Sequence, residues 1–331
     1  MLSITVSGLI KIKGHLDLFS GIGGFSLGLK QAGVEPDWIG FSDIDKYSNK
    51  LFKRRFKDAE ELGSITGVSY ESLKGQRIDL LTGGFPCQAF SIAGKRKGFD
   101  DTRGTLFFDI KRVLQDYIRN GKPIPCILLE NVKGLLNHDN GRTFATIYGI
   151  LSNLDYTLEC QLVNTKWWLP QNRERIFIFG RYNGNTSGRK VFPIYGCSEK
   201  DSRIQGQHTN TITARYEAGA TGSYIVESKL NTQKGKLNQI GTIGKDNQAN
   251  RVYNINGISK TLTDGGGGGA KIGLYNYKSR IRRLTPIECE RLQGFPDNWT
   301  DGQSDTQRYK QCGNAVSVPV TEAIFRKIYN D

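Results

Sequence analysis

The strongest constraint on the fold is an alternation running through the first 180 residues, in which short apolar runs are followed by stretches with helical spacing. That rhythm belongs to a βαβ array, where crossover helices cover the faces of a parallel sheet. The runs at 15–19, 38–43, 78–85, 127–131 and 176–180 are the expected strands. The clearest helix is expected over 107–118, where Phe107, Ile110, Val113, Leu114 and Tyr117 recur at helical spacing. An α/β, Rossmann-like sheet is therefore expected over residues 1–182. Open sheets of this kind bind ligands at the carboxyl edge of their strands, so the turns there are where chemistry is sought.

Near residue 183 the texture changes. From there to about residue 277 the chain is rich in Gly, Asn, Thr, Ser and Gln, with short β-like runs at 211–214 and 224–227. Segments 208–226 and 258–276 are weakly alike, each an S/T-rich run, a glycine-containing loop and a short strand. Five consecutive glycines at 265–269 sit inside this pattern, which favours a close backbone approach over a free linker. Helical character returns at 285–292, where Thr285 can cap and Pro286 suits the first turn, and again at 318–329. Four parts are expected: an α/β unit (1–182), a smaller irregular β-rich unit (183–281), a return segment (282–303) and a C-terminal segment (304–331) packing back on the first.

The chain carries a net charge of +14, with 17 Lys and Arg against 9 Asp and Glu between residues 182 and 300. This fits either a basic solvated surface or a polyanion partner whose phosphates displace counterions. No apolar run reaches the roughly 18 residues of a membrane span. The N-terminal stretch has no secretory signal pattern, so a cytoplasmic location is expected. Six scattered cysteines, without a CxxC pair, and three histidines argue against a zinc site or a disulfide scaffold. No metal is expected.

The segment from Asp17 to Phe25, DLFSGIGGF, ends a strand and opens a helix. Its glycines let the backbone approach a ligand under the helix N-terminus. The second strand ends in Ser42-Asp43-Ile44-Asp45, an acidic position suited to ribose hydroxyls. The glycine spacing is not GxGxxG, so S-adenosylmethionine, which has a ribose but no pyrophosphate, is favoured over a dinucleotide. Gly83-Gly84-Phe85-Pro86-Cys87 then follows the third strand and sets a cysteine in a loop at the same edge. Alone, that cysteine could be a small buried residue. Glu130-Asn131-Val132 closes the next strand, and Gln171-Asn172-Arg173-Glu174-Arg175 precedes the last. A nucleophile, an acid and two guanidinium groups thus face one pocket.

In this order, the blocks resemble the bacterial and phage-type DNA (cytosine-5)-methyltransferase family. The resemblance rests on DLFSGIGGF, GFPCQAFSIAGKRKGFDDTRGTLFFDI (84–110), ENV, QNRERIF (171–177), RRLTPIECERLQGFPDNW (282–299) and YKQCGNAVSVPV (309–320), and spans nearly the whole chain. It implies an S-adenosylmethionine-dependent catalytic domain at 1–182 and a target-recognition domain at 183–281. Cys87 matches the nucleophile, whose thiolate adds to cytosine C6 because C5 is itself a poor nucleophile. Glu130 matches the acid that serves N3 and the exocyclic amine, and Arg175 the group at O2. Arg173 is expected to support Glu130 or a nearby phosphate. Phe19, Gly21, Ile22 and Gly23 match the cofactor cradle, and Asp43 the ribose ligand, where the family often has Glu. Pro86, Leu106, Ile65 and Asn314 complete those contacts. Ile44 stands where a tryptophan commonly packs on adenine. Ser64 replaces an aspartate that accepts from the adenine amine, a departure expected to weaken cofactor binding.

A stacked base hides C5 and C6, so the chemistry implies a cytosine flipped out of its helix. The resemblance makes 91–103 a loop that closes over that base, with Ser91, Lys95, Arg96, Lys97 and Arg103 meeting DNA. In the recognition domain Gln248 is matched to the gap left by the flipped base. Arg251 is matched to a guanine or a phosphate, and Thr261 and Thr263, beside Gly265 and Gly266, to the backbone near the target. The implied partner is double-stranded DNA, bound by a monomer and with no membrane; the setting is either restriction-modification, with a cognate endonuclease outside this chain, or a phage or orphan enzyme acting alone. Two alternatives stay open: an RNA cytosine-5 methyltransferase of the same fold, and a non-catalytic DNA-binding regulator. The complete Cys87, Glu130 and Arg175 set argues against the second.

Overall fold

The computed structural model describes residues 3–4, 9–86, 106–183, 189–196, 239–242, 251–254, 258–259, 261–262, 274–277 and 280–330. Cys87, Ser91, Lys95, Arg96, Lys97, Arg103, Gln248, Thr263, Gly265, Gly266 and the runs at 211–214 and 224–227 lie outside the described residues.

In chain order the first part contains β1 (Ser3–Ile4), β2 (Ile10–Leu18), α1 (Gly24–Gln31), β3 (Val34–Ser42), α2 (Lys46–Arg55), β4 (Glu60–Glu61) and β5 (Leu80–Gly84). It continues with α3 (Leu106–Arg119), β6 (Cys126–Val132), α4 (Arg142–Ser152), β7 (Tyr156–Asn164) and β8 (Glu174–Tyr182). The sheet order is β4-β3-β2-β5-β6-β8-β7, with β1 pairing with β2 off this path. β4, β3, β2, β5 and β6 are parallel neighbours. β8, however, runs antiparallel to both β6 and β7, so the sheet is mixed rather than all-parallel. The reason is geometric. Residues 165–173, which join β7 to β8, hold one 3-10 turn and no crossover helix, so the chain must double back.

The expected strands all appear, four of them extended at one or both ends and the one expected over 78–85 trimmed to Leu80–Gly84, while β7 is not among those expected. In β6, Ile127 and Leu129 point into one hydrophobic cluster and Leu128 into the other. A strand covered on both faces reads as a continuous apolar run. The first face is covered by α3, whose stripe residues Phe107, Ile110, Val113, Leu114 and Tyr117 are each 0% exposed. The opposite face carries α1 and α7 (Val318–Tyr329). α1 and α7 cross closely: a Cβ on Gly28 would stand 2.1 Å from Thr321 Oγ1.

Part of the stretch after 183 also belongs to this core. Val191, Phe192 and Ile194 are buried against the sheet. The Glu159 carboxylate accepts from the N–H groups of Val191 and Phe192, and the Gln161 amide bonds Ile194 in both directions. A second sheet has the order β12-β11-β10-β9, from β9 (Gln239–Thr242), β10 (Arg251–Asn254), β11 (Leu274–Tyr277) and β12 (Arg280–Arg282). Beyond it lie α5 (Pro286–Gln293), which starts with a Thr285–Glu288 capping box, and α6 (Asp305–Asn314).

Candidate active site

Because β2, β3, β5 and β6 are parallel, their carboxyl ends share one edge of the sheet. The reversal of β8 brings its first residues to that same edge, with Arg175 opposite Val132. Strand ends from four elements and one strand start thereby converge, flanking the point where the order turns outward in both directions from β2 and β5.

The turn from β2 into α1 has left-handed backbone at Phe19 (φ 53°), Gly21 (φ 52°) and Gly23 (φ 83°). At Gly23 a Cβ would also meet the Phe56 ring at 2.6 Å, so glycine is required there twice over. The Gly21 N–H donates to Asp43 Oδ2 (2.9 Å), and Asp43 Oδ1 accepts from the Asp45 N–H (2.8 Å). Asp43 therefore ties the turn after β2 to the turn after β3. Beside it Ile44 is 85% exposed, an apolar side chain with no cover of its own. The Ile22 side chain behaves differently, being buried with Leu27, Leu51, Phe295 and Trp299. Its carbonyl is also engaged, accepting from the Trp299 indole N–H (3.0 Å).

Ser64 is exposed and caps the 3-10 turn Ile65–Gly67, accepting from the Thr66 N–H (3.3 Å). Ile65 is buried in the main core. Leu106 opens α3 half-buried, and Asn314 ends α6 exposed. Pro86 is exposed, directly after buried Phe85. The Asn131 side chain donates to the Phe85 carbonyl (2.9 Å) and accepts from the Val132 N–H (2.9 Å). It thus pins the end of the β5 turn just before residue 87, a role no local pattern announces.

Glu130 and Arg175 meet across the β6–β8 pair, with Nε 3.0 Å from Oε1 and side chains 12% and 18% exposed. A Cβ at Gly84 would lie 3.4 Å from Glu130 Oε2, so the bare glycine leaves that carboxylate clear. Arg173 turns away from this pair. It is 2% exposed and donates to the carbonyls of Leu262, Gly313 and Ala315, so it is neither hydrogen-bonded to Glu130 nor open to a phosphate. Burial, with the nearby Arg175 charge, lowers its pKa to about 9, and Glu130 opposes the shift. Thr261 donates to the Asn172 carbonyl, and Arg251 is half-buried in β10.

The described cysteines are unsuited to nucleophilic work. Burial pushes the thiols of Cys126, Cys160 and Cys289 up to about 11, 12 and 12, away from the reactive thiolate. Among the described residues no group of three or more His, Cys, Asp or Glu could hold a metal ion. No helix among them is long and apolar enough to cross a membrane.

Comparison with known proteins agrees with this geometry. The family model for C-5 cytosine-specific DNA methylase matches residues 14–330. The Type II methyltransferase M.HhaI of Haemophilus parahaemolyticus is 35% identical over 319 residues, covering 93% of this chain and 92% of the relative. The Type II methyltransferase M1.ScrFI of Lactococcus lactis subsp. cremoris is 37% identical over 316 residues, covering 95% and 77%. Among solved structures, the Entamoeba histolytica methyltransferase EhMeth superposes with a TM-score of 0.68 at 20% identity, covering 96% of this chain and 98% of that one, a likeness of fold alone. With a family model spanning nearly its whole length, the chain belongs to the C-5 cytosine-specific DNA methylase family and is a DNA (cytosine-5)-methyltransferase.

Proposed function

We propose that Cys87, Glu130 and Arg175 carry out methyl transfer to C5 of a cytosine flipped out of duplex DNA. The observation that carries this reading is the Glu130–Arg175 pair, set 3.0 Å apart at the edge where Asn131 pins the chain leading into residue 87.

The residues at the ends of β2 and β3 fit S-adenosylmethionine. Each Asp43 oxygen accepts one backbone N–H and keeps capacity for a ribose hydroxyl. Exposed Ile44 offers an apolar face to a base. Nothing lies within 4 Å of a Cβ built at Gly21 or Gly63, and the buried Ser20 hydroxyl has no partner. Phe19, the α1 N-terminus, Ser64, Pro86, Leu106 and Asn314 would line the remainder. When bound, this cofactor supplies a methyl group activated on a sulfonium sulfur.

The chain's own groups prepare the base. The Cys87 thiolate forms a bond to C6, and the ring electrons displaced toward N3 and O2 need stabilisation. Glu130 supplies a proton at N3, while Arg175 opposes the charge developing at O2. Addition at C6 makes C5 electron-rich and able to take the methyl group. Loss of the C5 proton to solvent, expulsion of the thiolate and return of the N3 proton to Glu130 then restore the aromatic ring. Arg173 acts through its neighbours.

DNA is the substrate of the family. We assign its contacts to the basic loop with Ser91, Lys95, Arg96, Lys97 and Arg103, and to Gln248, Arg251, Thr261, Thr263, Gly265 and Gly266. The net charge of +14 supports a phosphate-dominated interaction. A monomer acting beside a separate restriction endonuclease completes the reading, in line with relatives named Type II methyltransferases.

The test is Cys87→Ser, assayed by methyl transfer from labelled cofactor to duplex DNA and, in parallel, to tRNA. Wild type should label the duplex and form a covalent adduct with a 5-fluorocytosine duplex. The variant should do neither while still binding DNA. Turnover by Cys87→Ser refutes the covalent role, and labelling confined to tRNA refutes the substrate.

A further inference from the structure

Arg173 is a fully desolvated cation whose hydrogen bonds reach two distant parts of the chain. Nη1 donates to Leu262 O (3.3 Å) and Gly313 O (3.1 Å), and Nη2 to Ala315 O (2.8 Å). A buried charge is tolerated only while such acceptors surround it, so each of these carbonyls is held in place. Gly313 and Ala315 flank Asn314, which is exposed at the end of α6.

Leu262 belongs to the recognition-side segment that includes Ser259 and Thr261, and these residues are sewn to residues 170–172. The Ser259 N–H donates to Pro170 O (2.7 Å), the Asn172 N–H to Ser259 O (2.9 Å), and the Thr261 hydroxyl to Asn172 O. The Gln171 side chain is 0% exposed. It accepts from the Leu262 N–H (3.4 Å) and donates to Leu292 O of α5 (2.6 Å). Asn164 Oδ1 accepts from the Arg173 N–H (3.2 Å), which holds the backbone two residues before Arg175.

We propose that Arg173, assisted by Gln171, is a positioning residue that couples cofactor binding to DNA binding. It joins three bodies: the recognition-side segment with Leu262, the Asn314 turn, and the strand start bearing Arg175. The proposal rests on the functional reading above. DNA that settles the recognition-side segment would also settle the carbonyls around Asn314, and the coupling must act equally in reverse.

The measurement is the cofactor dissociation constant, by calorimetry or dialysis, with and without saturating duplex. In the wild type the duplex should tighten cofactor binding at least fivefold, within the usual span for coupled sites. Arg173→Lys keeps the charge but puts it on one ammonium nitrogen, which cannot occupy the separate Nη1 and Nη2 positions, and should bring that ratio close to one. Should Arg173→Lys not fold, Gln171→Met, close in volume and lacking both bonds, should lower the ratio in the same direction. A wild-type ratio of one overturns the proposal. So does an unchanged ratio in a folded variant that has merely lost thermal stability, the outcome for a purely structural arginine. Adduct formation on 5-fluorocytosine duplex reads the functional assignment separately, so the two can fail independently.

Discussion

Replacing His15 with leucine should add a steep pH dependence to stability that the wild-type residue conceals. His15, Thr82 and Asp17 form a hydrogen-bonded chain between β2 and β5, each residue 0% exposed. The Thr82 hydroxyl donates to Asp17 Oδ1 (2.8 Å) and the Ser26 hydroxyl to Oδ2 (2.9 Å). The Thr82 oxygen is hydrogen-bonded to His15 Nε2 (2.8 Å), while Nδ1 is buried and without a partner. Burial therefore pulls the His15 pKa down to about 3. Burial pushes Asp17 up to about 7, against its two hydroxyl bonds and with help from the Asp43 charge.

Between about pH 4 and 6.5 the unfolded chain holds one proton on His15 and none on Asp17, whereas the folded chain holds one on Asp17 and none on His15. Equal proton counts give no slope from this pair. Without His15, the folded state binds the extra proton, so stability falls as pH rises toward 7, by about 1.4 kcal/mol per pH unit and about 4 kcal/mol in all. Asp17→Asn should do the reverse, losing stability as pH falls below about 6.5. Urea unfolding at fixed ionic strength from pH 4.5 to 7.5, taken as variant minus wild type, reads these slopes directly. Difference profiles that stay flat for both variants would refute the burial of this pair in its stated protonation states.

Three further outcomes follow from the site. Glu130→Gln should slow single-turnover methylation at least a hundredfold, as expected for loss of a general acid, with cofactor affinity nearly unchanged; the opposite split would contradict the assignment. Ser64→Asp should tighten cofactor binding severalfold in equilibrium dialysis, because the exposed hydroxyl now offers no charged acceptor to an adenine amine; equal affinity would remove Ser64 from the site. Trp299→Phe keeps the ring but leaves Ile22 O without its donor, and should cost about 1 kcal/mol of stability together with a raised cofactor KM. Lost stability with an unchanged KM would mean that Trp299 supports the fold without shaping the turn.

Local rules carried the reading of α3, the capping box at Thr285 and α7, because each depends on residues three or four apart. They also placed the turns after β2, β3, β5 and β6 on one edge, since a βαβ rhythm implies parallel strands. β7 is absent from the expected strands although its sequence announces it: apolar Tyr156, Leu158, Cys160 and Leu162 alternate with polar Thr157, Glu159 and Gln161. That omission hid the reversal of β8, and with it the reason Arg175 starts its strand where Glu130 ends its own. From the sequence, Arg173 is offered either to Glu130 or to a nearby phosphate. Its acceptors at Leu262, Gly313 and Ala315 are 89 to 142 residues away, and no local pattern encodes such a contact.

By itself, then, the sequence determined the α/β class, the order of the chemical blocks and the residue types available at the sheet edge. Tertiary structure alone decided which arginine faces Glu130, that Ile22 turns inward while Ile44 stays bare, and that Asn131 anchors the approach to residue 87. The physical reason is range: periodicity and capping act within a turn or two of chain, whereas a buried polar group takes its partner from whatever segment the fold brings to it.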